Sequence, residues 1–215
     1  MEDVKLAIAW PLTNEMLHSK FVVSWTLMEK PNYSFFLPEW PGPIDIIRNN
    51  LVKQVLRSDC THLLMMDTDQ VYPPDVIWQL MSHKQPIVAA KVHRRYPLFD
   101  PIMYRGDLNK YISVPDEEWK ENGLTEVDAT GTGCVLFDME VFQNIPYPWF
   151  KTQYKDENEE VIKYGEDIGF YLKAKEAGYK IYVDSSIKIG HLSLLEITEE
   201  TYFLFKKLTN HKMGS

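Results

Sequence analysis

The chain has 215 residues, 45% hydrophobic and 25% charged, which is enough apolar side chain for one folded domain and too much for a disordered chain. Its 23 Lys and Arg against 31 Asp and Glu leave a formal net charge of −8, the wrong sign for a protein held to nucleic acid by phosphate contacts. Apolar runs such as Leu63–Met66 and Phe21–Val23 fall far short of the ~18 residues a membrane span needs, and Met1-Glu2-Asp3 is acidic where a signal peptide is basic.

Val4–Trp10 is a short apolar run stopped by Pro11 and reads as a buried first strand. His18–Glu29 has helical spacing and ends before Pro31. Tyr33–Leu37 reads as a second strand, and the proline-rich stretch Pro38–Pro43 as a rigid loop. In Ile44–Arg57, Ile44, Ile47, Leu51 and Val55 share one helical face, with Arg48, Asn49 and Lys53 off it. His62–Met66 is a strand running into Asp67, Pro73–Ser82 a helix with prolines in its first turn, and Ile87–Val92 a strand. Tyr96–Gly123 shows no clean period and reads as a long excursion with one hairpin. Cys134–Asp138 is a strand, Met139–Asn144 a short helix, and Asp156–Glu160 a polar loop. Ile168–Ala177 is a helix stopped by Gly178, followed by a strand at Lys180–Val183 and an extended piece, Ile187–Ile189, reaching His191. The closing helix, Thr198–Leu208, brings Tyr202, Phe203 and Phe205 to the core or, failing that, to a dimer contact. Met213-Gly214-Ser215 reads as a cloning remnant. This order predicts a single-domain α/β protein with a mostly parallel sheet flanked by helices. Cys60 and Cys134 have no metal-type spacing and fit two buried thiols in a reducing cytoplasm.

Five groups of residues could carry chemistry. Asp67-Thr68-Asp69 ends a strand, where open sheets bind ligands, and two carboxylates so spaced suit Mg²⁺ or Mn²⁺. Glu166 and Asp167 precede a helix, where the choice lies between capping and a general base. His191 could complete a metal shell if the fold brings it to Asp69. Thr132 and Gly133 belong to a run, Thr130–Gly133, that allows close backbone approach to a ligand. Arg48, beside Asn49, could face a diphosphate, and Lys91, His93, Arg94 and Arg95 form a basic cluster at the same sheet edge as Asp67.

In this order, Arg48-Asn49, Asp67-Thr68-Asp69, Thr132-Gly133, Glu166-Asp167 and Gly190-His191 resemble a GT-A-fold glycosyltransferase of the family-two-like group, in its compact bacterial or phage form. The resemblance covers about residues 4–192. It implies a Rossmann-like GT-A domain with a small irregular or antiparallel acceptor-side portion. It also implies a soluble, metal-dependent and inverting enzyme that uses a nucleoside-diphosphate sugar, UDP favoured, with Mn²⁺ or Mg²⁺. Asp69 and His191 would hold the metal, with Asp67 nearer the ribose or a metal-bound water. Asp167 would be the base beside Glu166. Trp10 and Pro11 would border the nucleotide base, and Thr132 and Gly133 the sugar. Members usually carry a small or acidic residue where Trp10 and Pro11 stand, and the Gln-x-x-Arg-Trp motif of processive synthases is absent.

The acceptor is left open among a glycan, a protein and hydroxymethylated bases of phage DNA. DNA would need a basic face built from Lys91–Arg95, Arg105, Lys151 and Lys155. A nucleotidyltransferase would carry a glycine-rich basic loop after the first strand, which Trp10–Asn14 does not supply. A non-catalytic binding domain would be expected to have lost one of the acids, and all are present.

Overall fold

Strands apolar on both faces build the centre of the molecule, as expected for a sheet covered by helices on either side. The computed structural model describes residues 4–107, 110–120, 123–155, 162–194 and 197–212. The loop Asp156–Glu160 and the two chain ends, 1–3 and 213–215, lie outside the described residues. In chain order the elements begin with β1 (Leu6–Ala9), α1 (Ser19–Leu27), β2 (Tyr33–Phe36), α2 (Ile44–Leu56), β3 (His62–Met66), β4 (Gln70–Val71), α3 (Val76–Ser82) and β5 (Ile87–Lys91). Then come β6 (Met103–Asp107), β7 (Lys110–Ser113), α4 (Asp116–Trp119), β8 (Leu124–Val127), β9 (Ala129–Thr130), β10 (Cys134–Asp138) and α5 (Met139–Asn144). The rest are β11 (Gln153–Tyr154), β12 (Ile162–Tyr164), α6 (Glu166–Glu176), β13 (Ile181–Lys188), β14 (Gly190–His191) and α7 (Glu199–Lys212).

The central seven-stranded sheet has the order β2-β1-β3-β10-β5-β13-β8. β1 pairs in parallel with β2 and β3, and β5 with β13. β10 is antiparallel to β3 and to β5, and β8 to β13. Hence β1, β2, β3, β5 and β13 share one direction, and the loops after β1, β3 and β5 leave from one edge. The two-residue alternation of β3 sends Leu63 and Met65 to one face and Leu64 and Met66 to the other. On the first face they meet Leu51 and Val55 of α2, Phe142 of α5 and Phe170 of α6. On the second they meet Phe21 of α1 and Ile77 and Leu80 of α3.

Several boundaries move for local reasons. α3 starts at Val76, so Pro73 and Pro74 lie before the helix rather than in its first turn. α6 starts two residues early, at Glu166, which places both acids inside its first turn. Gly178, just past its C-cap Ala177, has a φ of +86°, the left-handed conformation that closes a helix. Lys180–Val183 and Ile187–Ile189 are not separate pieces, because β13 runs unbroken to Lys188 with a register shift after Asp184. The excursion Tyr96–Gly123 holds the hairpin β6–β7 and the short α4, and β6 also pairs with β9. Cys134 is buried but Cys60 only partly so. α7 does not bring its aromatics to the core: Tyr202, Phe203 and Phe205 are 56%, 50% and 54% exposed. No helix among the described residues is long and apolar enough to cross a membrane.

Candidate active site

Asp67 leaves the end of β3 at the edge where the codirectional strands finish. Its backbone is fixed from two sides. The Asp67 amide donates to the Gly133 carbonyl at 2.8 Å, and the Tyr72 hydroxyl donates to the carbonyls of Asp67 (2.6 Å) and Gly133 (3.0 Å). The next residues then form the short strand β4, which pairs with β14 so that His191 lies opposite Gln70, and the Leu192 amide donates to the Asp69 carbonyl. This pairing of two dipeptides carries His191 to Asp69, with its Nε2 3.4 Å from Asp69 Oδ2.

Beyond these residues opens a cavity of about 570 Å³, lined by Pro11, Arg48, Asp67, Thr68, Asp69 and Arg95 among others. Thr13, Asn14 and His18 line it too, and none of them stands out in the sequence. They sit on the stretch joining β1 to α1, which has no periodicity to mark it.

Two arginines balance the charge differently. Arg48 of α2 is buried. Its Nη1 donates to Glu166 at 2.6 Å, and its Nη2 lies 3.2 Å from Asp67 Oδ1. Arg95 is half-exposed and donates from Nη1 to Asp69 Oδ2 at 2.9 Å. Burial raises the Asp67 carboxyl above its usual range, with the Arg48 charge pulling the other way. For Asp69 burial also pushes upward, but hydrogen bonding and charge from His191, then the Arg95 charge, outweigh it and the net direction is down. Asp167 is pushed up to about 6, by burial first and then by the Glu166 charge, against the pull of Arg48. Its Oδ1 accepts from the Ile168 amide at 2.7 Å.

The His191 ring state follows from its contacts. Its Nδ1 lies 2.6 Å from the His93 carbonyl, which can only accept, so Nδ1 carries a proton. Nε2 then faces Asp69 either with a second proton or with a lone pair for a cation. Burial lowers the His191 pKa, but the Asp69 bond and the His93 carbonyl raise it further, for a net upward shift.

Asp69 Oδ1 is buried with no hydrogen-bond partner. An orphaned carboxylate oxygen beside an imidazole fits a hard divalent cation that draws other ligands from phosphate or water. The protein alone does not make a full cage, since no group of three or more His, Cys, Asp or Glu able to hold a metal occurs among the described residues. Asp67 Oδ1 faces Arg48 Nη2 at 3.2 Å.

Other predicted contacts are placed elsewhere. The Trp10 ring packs edge-on against Phe21, Trp25 and Phe35 and is buried in that aromatic cluster. Asn49 is fully committed to structure: it donates to the carbonyls of Asp45 and Phe150 and accepts from the amides of Trp149 and Phe150. Arg94 turns to the Tyr104 hydroxyl and Asp100. Thr132 is buried, with its hydroxyl unpartnered. Gly133 stands behind the carboxylates, where a Cβ would come within 2.0 Å of Gln70 Nε2 and 3.1 Å of Asp67 Oδ2.

Comparison with solved structures decides the fold. The A197 protein from STIV superposes with a TM-score of 0.62 at 18% identity, covering 89% of this chain and 87% of that one. The chain has the GT-A glycosyltransferase fold. Two further GT-A structures agree. GalNAc-T7, solved with UDP, GalNAc and Mn²⁺, gives a TM-score of 0.59 at 13% identity, covering 90% of this chain and 44% of that one. S. aureus TarS 1-349, solved with UDP-GlcNAc, gives 0.51 at 15% identity over 94% of this chain and 64% of that one. In sequence, the chain is 25% identical over 194 residues to the Mannan polymerase complex subunit MNN9 of Candida albicans, across 72% of this chain. It spans about half the length of that relative, whose matched share is 50%. No protein-family model matches the chain. The cavity opens at the ends of the codirectional strands, with Asp67 and Asp69 in its lining, and Asp167 lies in the first turn of α6.

Proposed function

We propose that the chain is a metal-dependent, inverting glycosyltransferase that moves a sugar from a nucleoside-diphosphate sugar, UDP preferred, to an acceptor hydroxyl. The observation that carries this reading is the contact of His191 Nε2 with Asp69 Oδ2 while Asp69 Oδ1 is buried without a partner, with Asp167 next to Glu166, which Arg48 joins to Asp67. The neighbours solved with UDP, UDP-GlcNAc and Mn²⁺ support the donor class and the metal. Asp69 and His191 would hold Mn²⁺ or Mg²⁺, which when bound stabilises the charge of the leaving diphosphate. Arg95 adds a half-exposed cation at the same edge. Asp167 takes the proton of the acceptor hydroxyl as that oxygen bonds the anomeric carbon. The carbon–oxygen bond to the diphosphate breaks on the opposite face, and its electron pair leaves with the nucleotide. One such displacement inverts the anomeric centre.

A thermal-shift panel of UDP, GDP, CDP and TDP, each with and without Mn²⁺, tests this on the wild type and Asp69→Asn. A nucleotide at 100 times its dissociation constant stabilises by about 2.7 kcal/mol. The expected result is a shift for UDP that needs Mn²⁺ and vanishes in Asp69→Asn. No metal-dependent shift for any nucleotide removes the reading.

A further inference from the structure

Arg48 does not have the freedom a diphosphate ligand needs. Its side chain is 5% exposed, against 45% for Arg95. Its two terminal nitrogens are engaged by acids far apart in sequence: Glu166 on the first turn of α6, and Asp67 at the end of β3. The face of Phe150 lies 6.0 Å from the guanidinium carbon, and Nε is buried without a partner. Gly165, the residue before α6, makes no side-chain cap. The Arg48–Glu166 pair is therefore a side-chain tie from the first turn of α6 to the body of the molecule.

We propose that Arg48 is a positioning residue that braces Asp67 against Glu166 and so fixes the distance between the donor carboxylates and Asp167. This rests on the glycosyltransferase reading, in which Asp67 serves the donor and Asp167 the acceptor. The brace needs a fork. A guanidinium reaches two carboxylates from one planar group, whereas a lysine ammonium is a point charge on a flexible stem. Keeping the charge without the fork should therefore not rescue function. Misplacement of about 1 Å at a reacting centre costs on the order of 10²-fold in rate.

Four proteins are compared: wild type, Arg48→Lys, Glu166→Gln and the double variant. Calorimetry is run with Mn²⁺ alone and with Mn²⁺ plus UDP, and UDP release from UDP-GlcNAc is followed in parallel. A brace predicts that Arg48→Lys lowers kcat about 100-fold while KM rises by about tenfold at most. It predicts that Glu166→Gln, although Glu166 does not line the donor cavity, weakens Mn²⁺–UDP binding about tenfold. The double variant should be no worse than the poorer single one. The brace is overturned if Glu166→Gln leaves Mn²⁺–UDP binding unchanged, or if the two losses multiply. It is also overturned if Arg48→Lys raises KM and keeps kcat, which would make Arg48 a direct phosphate contact. Where the wild type binds Mn²⁺–UDP but releases no UDP from UDP-GlcNAc, the brace stands or falls on the binding loss in Glu166→Gln. A wild type that binds neither Mn²⁺ nor any of UDP, GDP, CDP and TDP overturns both the brace and the glycosyltransferase reading.

Discussion

The acid that the proposed reaction uses as its base is adjusted by its surroundings rather than by its identity. Asp167 is pushed up to about 6 by burial and by the neighbouring Glu166 charge. The proposed base must be ionised, so the expected sign is fixed: transfer above about pH 6, lost as the pH falls through it. The expected kcat/KM profile drops tenfold per unit on that acid limb. Asp167→Asn should keep Mn²⁺–UDP affinity and lose about 10²–10⁴-fold in transfer. Loss of affinity instead would make Asp167 a helix-capping residue. Gly133 offers a second test at this scale. A methyl there meets the terminal amide of Gln70, which is 1% exposed, and presses toward Asp67. Gly133→Ala should cost about 1–3 kcal/mol of stability, read by thermal unfolding, and weaken Mn²⁺–UDP binding. Unchanged values in both would show that Gln70 can yield. Asp67, Asp69, Glu166 and Asp167 were legible in the sequence as candidates, because carboxylates at strand and helix ends can be read one at a time. The sequence could not show that Asn49 serves only backbone or that Trp10 joins an aromatic cluster, since both depend on partners distant in the chain.

At the scale of elements, legibility follows length and periodicity. Cys134–Asp138 and Met139–Asn144 match their predicted bounds, and the Asp138 side chain caps the helix by accepting from the Glu140 amide. The paired dipeptides β4 and β14 are too short to leave a pattern, although they bring His191 to the site. A comparable cross-link joins α3 to β13. His83, which follows α3, lies with Nε2 2.6 Å from Asp184 Oδ2, while the Ser186 amide and hydroxyl donate to Oδ1. Burial pushes the Asp184 carboxyl up, but the bonds from Ser186 and His83 outweigh it and hold it below its ordinary range. A depressed carboxylate contributes stability above its unfolded value of 3.8 and loses it as the pH falls through the folded one. Asp184→Asn is therefore expected to cost about 1.5–3 kcal/mol at pH 7 in urea unfolding, and to flatten the fall in stability below about pH 4. Equal stability of variant and wild type at both pH values would mean that the pair holds nothing.

For the molecule as a whole, the two faces of the sheet account for the core, and α7 lies outside it. The composition predicted enough apolar side chain for one domain, but not which apolar residues the fold would leave exposed. On α7, a run of aromatic and aliphatic residues reads like a core helix, yet Leu204 and Leu208 are 57% and 56% exposed. Leu64 of β3 is 0% exposed and packs with Ile8, Val88 and Leu136 in the same core. The contrast gives a direct measure of where stability resides. Leu64→Ala removes buried contacts and leaves a cavity, and should cost about 2–5 kcal/mol. At roughly 2–4 °C per kcal/mol for a chain of this size, that lowers the midpoint by about 4–20 °C. Leu204→Glu exchanges an exposed side chain and should stay within about 0.5 kcal/mol. Scanning calorimetry of the two variants at low protein concentration reads both effects. A large loss in Leu204→Glu would mean that α7 is buried in solution, against a surface the isolated chain does not itself provide.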